Sequence, residues 1–285
     1  MDWLTKHEKV CMSVLLRNNV KILGFGTIPI VFAHGYGCDQ NMWRLITPAF
    51  EDKYKVVLYD HVGFGKSDLT AFDPQKYSTL DGYAHDLLEV CNELGTSPII
   101  FVGHSVGAMI GVLAAIRQPK LFRKLVLIGP SPCYINDGEY IGGFARQDID
   151  GLLEFLDSNH LGWSNTMAPV IMGNPDRPEL AEELANSFCR TDPEIAKHFA
   201  RVTFLSDNRA DLSKLRVPSL ILQCSQDAIA PSQVGVYVQS HLADSSLVHL
   251  KATGHCPQLS APEETIQAIM SGLSEGSGDT QMRWP

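Results

Sequence analysis

Short, nearly continuous apolar runs recur along the chain, and they constrain its fold more than any other feature. They are Pro29 to His34, Lys55 to Tyr59, Ile99 to Val102, Leu125 to Ile128, Ser219 to Cys224 and Leu247 to Leu250. A strand with one wet face alternates apolar and polar residues, so runs without alternation predict strands covered on both faces, as in a parallel sheet. Segments of helical period lie between them. Tyr83, Leu87, Val90 and Leu94 share one helix face, and Gly95 follows where a C′ glycine would end the helix. Strand, helix, strand in that order gives right-handed crossovers and a mostly parallel, doubly wound α/β sheet.

About 90 residues separate Ile128 from Ser219, far more than one crossover needs. That interval predicts an insertion, and its pattern is helical. Ile149, Leu152, Leu153 and Leu156 form one stripe, Leu180, Leu184 and Phe188 a second, and Ile195, Phe199 and Val202 a third. The third starts behind Asp192-Pro193, a suitable N-cap and N1 pair. Four helices forming a lid over the carboxyl ends of the strands are expected, because open α/β sheets bind ligands there. The expected division is a core of residues 1–133 and 207–285 with an inserted lid at 134–206. The tail from Ser274 to Pro285 reads as disordered.

Composition narrows the function. Thirty-two acidic residues against 23 lysines and arginines give a net charge of -9, which disfavours nucleic acid and anionic membranes as partners. Seven cysteines, Cys11, Cys38, Cys91, Cys133, Cys189, Cys224 and Cys256, show no paired spacing. Together with a polar start at Met1 to Val10 and no long apolar segment, they suggest a reducing, cytoplasmic setting without disulfides. No histidine pair at helical spacing and no cysteine pair suggests a metal, and no cofactor is expected.

Immediately after the run ending at Val102 comes Gly103-His-Ser-Val-Gly107, followed by a helical segment. The G-x-S-x-G pattern alone is common; between a strand and a helix it reads as a nucleophile elbow with Ser105 at its tip. A serine needs a base and an orienting carboxylate, which in this arrangement follow in that fold's order, acid before histidine. Asp227, three residues past a strand, is the candidate acid, ahead of Asp207 and Asp211. His255, after the last strand and beside Gly254, is the candidate base, ahead of His241 and His249. The backbone N–H groups of Val106 and Tyr36 are the candidate oxyanion donors, with the Tyr36 phenol able to reach the pocket mouth. His34 reads as structural, and Asp60 to Ser67 as a turn rather than a phosphate loop.

These segments resemble the α/β-hydrolase superfamily, within it the branch holding the bacterial general-stress regulator RsbQ and plant receptors for karrikins and strigolactones. Phe32 to Gln40, Leu80 to Asp86, Val102 to Ala108, Gly129 to Asp137, Pro218 to Cys224 and Gly254 to Pro257 carry the resemblance, the fourth and last leaning to the RsbQ side. It implies Ser105, Asp227 and His255 as a triad, Tyr36 and Val106 as oxyanion donors, and a four-helix lid. It also implies Tyr134, Phe144, Trp163, Met167, Leu184 and Phe204 as pocket lining. Tyr36 stands where these relatives usually carry Phe. RsbQ-like proteins act upstream of an alternative sigma factor through a partner serine phosphatase; the plant relatives bind and slowly hydrolyse butenolide lactones. The expected function is therefore a slow serine hydrolase of small apolar esters or lactones with a signalling partner. A metabolic esterase or lactonase without partner, and a binding protein with a vestigial triad, are the alternatives. A partner would meet Asp176, Arg177, Glu179, Glu182 and Glu183 on one lid helix.

Overall fold

A computed structural model describes residues 13–95 and 98–274; the tail from residue 275 and the start, Met1 to Val10, lie outside them. Seven strands form one sheet: β1 (Lys21–Leu23), β2 (Ile28–Ala33), β3 (Tyr54–Leu58), β4 (Ile99–His104), β5 (Phe122–Ile128), β6 (Ser219–Gln226) and β7 (Ser245–Thr253). Their order is β1-β3-β2-β4-β5-β6-β7, with β1 antiparallel to β3 and every other neighbouring pair parallel. The six apolar runs all fall in or across strands. The short edge strand β1 carries no such run, because all three of its residues are exposed.

Eight helices of ten residues or more complete the described fold: α1 (Leu80–Glu93), α2 (Val106–Arg117), α3 (Arg146–Ser158), α4 (His160–Met172), α5 (Pro178–Arg190), α6 (Pro193–Phe204), α7 (Ser232–His241) and α8 (Pro262–Ser274). Successive side chains of a strand point to opposite faces, and here both faces are dry. On β2, Val31 and Ala33 join Leu87, Ile110 and Val234 from α1, α2 and α7 in one core cluster. Ile30 and Phe32 face the other way, into a second cluster with Trp43, Phe50 and Ile269. That two-sided coverage is why the strands read as unbroken apolar runs.

The helices α3 to α6 occupy the interval between β5 and β6. Asp192 caps α6, its carboxylate accepting the N–H groups of Glu194 and Ile195. Phe199 of α6 is fully buried, its ring centroid 4.6 Å from Tyr83 and 4.9 Å from Phe64. The Tyr36 hydroxyl donates to the carbonyl of Ala196 at 3.1 Å. The inserted helices are thus fastened to the loops at the carboxyl edge of the sheet, where the chain leaves the neighbouring strands β2 and β4 toward β3 on one side and β5 on the other.

Candidate active site

The turn between β4 and α2 places Ser105 at φ +56°, a conformation that a residue with a side chain holds only at a cost of about 1–3 kcal/mol. Gly107 lets this turn sit against β2: a Cβ there would lie 2.5 Å from the His34 carbonyl oxygen. Ser105 N–H donates to the carbonyl of Ile128 at the end of β5, which ties the turn to the sheet. The Ser105 hydroxyl, projected above the carboxyl ends of the strands, lies 2.7 Å from His255 Nε2.

His255 reaches that position because the β7 loop is anchored twice. Its own N–H donates to the carbonyl of Ile171, and Gly254 N–H donates to Gln226. Gly254, at φ +80°, packs so tightly on the Met172 carbonyl that a side chain would collide with it. The end of α4 therefore holds the histidine in place, a contact with no sequence signal. On the other ring nitrogen, His255 Nδ1–H donates to Asp227 Oδ2 at 2.7 Å. The second carboxylate oxygen accepts from Ile229 N–H at 2.8 Å and Ala230 N–H at 3.0 Å. Burial pushes the Asp227 carboxyl up, but the His255 ring and these two N–H groups outweigh it, so the acid sits below its ordinary range and stays ionised. The β6–β7 ladder shifts register between Cys224 and Gln226, which frees the backbone just before Asp227.

An imidazole held in one tautomer by a carboxylate, with its free nitrogen accepting from a serine hydroxyl, can remove the proton as the oxygen attacks a carbonyl. Val106 is the first residue of α2, so its N–H has no partner within the helix and lies beside the serine. Tyr36 lines the same cavity from the loop after β2. Its phenol does not reach the pocket mouth, being committed to the Ala196 carbonyl. Tyr134 lines the same cavity as Ser105, and burial raises its phenol pKa to about 12, so it remains protonated. Next to the nucleophile, His104 donates Nε2–H to the carbonyl of His255 at 2.7 Å, and burial pushes its pKa down to about 3.

The cavity above Ser105 has a volume of only about 30 Å³, and most of the surface it exposes is apolar. It is narrow, so a ligand of more than a few atoms enters only if side chains or inserted helices move. Of the expected lining, Tyr134, Leu184 and Phe204 face it. Phe144, Trp163 and Met167 do not. The Trp163 ring stands behind the wall, 5.7 Å from Tyr36 and 5.6 Å from Phe188. Phe144 and Met167 are half-buried packing residues against the core, Phe144 bridging to Ile135. In their place the wall is formed by Cys38, Ile171, Phe188, Thr203, Ile229 and Cys256. Phe188 follows one turn after Leu184, and Cys38, Ile229 and Cys256 neighbour predicted site residues. That proximity was the available signal.

The remaining candidates serve structure. His34 donates Nδ1–H to the Gly35 carbonyl and accepts the His61 N–H on Nε2. Asp60 accepts from Gln40 N–H and Lys66 N–H, closing the Asp60 to Ser67 turn. Asp207 pairs with Arg209 and Asp211 with Lys214, while His241 stacks on Tyr237 and His249 lies within β7.

Residues 30–268 match the family described as "Alpha/beta hydrolase family". The chain belongs to that family. It is 40% identical to karrikin insensitive 2 receptor CA of Petunia hybrida over 89% of this chain and 94% of the relative. It is also 40% identical to strigolactone esterase D14 of Arabidopsis thaliana, over 92% of this chain and 98% of that protein. A solved hydrolase from Oleispira antarctica superposes with a TM-score of 0.90 at 38% identity, covering 92% of this chain and 96% of its own. The chain is thus a hydrolase-family protein among whose relatives are small-molecule receptors and esterases. No helix of the described residues is long and apolar enough to cross a membrane.

Proposed function

We propose that the protein is a slow serine hydrolase of small, mostly apolar esters or lactones, working as a ligand receptor that a protein partner reads. Ser105 is the nucleophile, His255 the base and Asp227 its orienting acid, with the N–H groups of Val106 and Tyr36 receiving the oxyanion. The observation that carries this is the unbroken run of two 2.7 Å hydrogen bonds, serine to histidine to aspartate, beneath a narrow, mostly apolar cavity. The narrow cavity supports slow turnover, and the receptor relatives support signalling. The apolar wall suits neutral karrikin- or strigolactone-like ligands once side chains or inserted helices make room, since no acidic, lysine or arginine side chain lines it.

The RsbQ-like variant of this reading, with a stress-pathway serine phosphatase as partner, rests on the Gly129 to Asp137 and Gly254 to Pro257 segments. The receptor variant has the two 40% identical relatives behind it and is preferred. On α5 and the turn before it, Asp176, Glu179 and Glu182 are exposed and available to a partner. Glu183 is not, because both its carboxylate oxygens hold Arg44. Short-chain aryl esters should be hydrolysed and phosphorylated esters should not. A substrate profile headed by anions would overturn the assignment of the cavity.

A further inference from the structure

The cavity wall holds one hydroxyl that the protein leaves unused. Thr203, the penultimate residue of α6, lines the same cavity as Ser105, is 1% exposed, and its Oγ1 has no hydrogen-bond partner. A threonine inside a helix ordinarily bonds back to the carbonyl four residues earlier. Other helical hydroxyls here do so: Ser164 donates to the carbonyl of His160, Thr265 to Ala261 and Ser274 to Met270. Thr203 makes no such bond to Phe199. Its neighbour Phe204 lines the cavity too and packs 5.2 Å from the ring of Tyr134, another lining residue. Thr203 therefore stands on the wall of the reaction chamber rather than in packing remote from it.

Burying a hydroxyl without a partner costs about 1–3 kcal/mol, and a valine of the same shape would avoid that cost. A ligand oxygen would remove it. We infer that Thr203 is a specificity-determining residue whose hydroxyl hydrogen-bonds an oxygen of the ligand distinct from the scissile carbonyl. This deepens the proposed function and rests on it: the preferred ester or lactone is apolar but carries a second oxygen, an ether, hydroxyl or carbonyl, within reach of α6. A wholly hydrocarbon ligand of equal size leaves the hydroxyl stranded and is discriminated against.

The test compares wild type with Thr203→Val and Thr203→Ser on matched phenyl esters. Each pair replaces one methylene of the acyl chain by oxygen at successive positions: butanoate against methoxyacetate, and pentanoate against 3-methoxypropanoate and ethoxyacetate. The quantity read is the ratio of kcat/KM values within a pair, compared between proteins, so that intrinsic reactivity cancels. For the pair whose oxygen meets Thr203, the preference for oxygen should fall roughly five- to tenfold in Thr203→Val and be retained in Thr203→Ser. Ratios unchanged by Thr203→Val across the whole series would overturn the inference while leaving the hydrolase intact. No turnover of any member by wild type would remove the hydrolase reading, and the role of Thr203 with it. Melting temperature gives an independent check. Thr203→Val should melt at or above wild type, whereas a fall of several degrees would show that the hydroxyl serves the fold and overturn the inference.

Discussion

Ser105 is one of two non-glycine residues with positive φ in the described structure, and the other, Asn19, lies in a turn far from the cavity in sequence. Strain at that one residue follows from the need to lift a hydroxyl above a strand end while the next N–H starts a helix. His255 and Asp227 have no such strain; they depend on partners. Asp227 acts through His255, so Asp227→Asn should leave the fold intact but present the wrong tautomer to Ser105, lowering turnover on the order of 10⁴-fold. Retention of more than a tenth of wild-type esterase activity would mean that another carboxylate orients the histidine. The three residues were legible in the sequence because each sits in a short loop after a strand, flanked by glycine or turn-forming neighbours. Half of the expected lining was not. Trp163 and Met167 lie on a helix whose apolar residues serve its neighbours as well as the cavity, and no spacing tells which side of a helix a ligand occupies.

Among the elements, the strands were readable because a covered sheet imposes apolar runs, and their ends were blurred where Arg123 and Lys124 interrupt β5. Three of the four inserted helices showed a stripe because they have one wet face. The fourth, α4, carries Pro169 within it and buries Trp163, Ser164, Ala168, Ile171 and Met172 at uneven spacing, so its period was hidden. α6 is the element on which the inserted helices lean. Phe199 joins it to Tyr36, Phe64 and Tyr83, and Tyr36 holds it through Ala196. Phe199→Ala should destabilise the protein by about 3–5 kcal/mol, the usual cost of emptying a buried aromatic site. Because Tyr36 would lose its stacking partner, esterase activity should also fall at temperatures where the variant is still folded. Thermal denaturation alongside kinetics below the transition checks both, and an unchanged melting temperature would show that α6 is not fastened here.

At the scale of the whole molecule, burial of histidines links stability to pH. His34, His61 and His104 are all buried, and burial lowers each pKa, that of His104 to about 3 and that of His61 well below its ordinary value. In the unfolded chain these rings bind protons near pH 6.5, so below that pH the unfolded state holds more protons than the folded one. Stability is therefore full above about pH 6.5 and declines as pH falls, by up to about 1.4 kcal/mol per pH unit for each ring, down to about pH 3 for His104. Melting temperature should drop steadily between pH 7 and pH 4.5; a flat profile would mean that these rings are solvated. The central claim, that one strained serine backed by histidine and aspartate forms the reactive centre of a narrow apolar cavity, is tested most directly by covalent labelling. Wild type and Ser105→Ala would be treated with a small apolar fluorophosphonate and measured by intact-protein mass, with the modified peptide mapped. The account predicts a single adduct in the wild type, on Ser105, and none in Ser105→Ala. An adduct that persists in Ser105→Ala, or that maps to any other residue of the wild type, would contradict it.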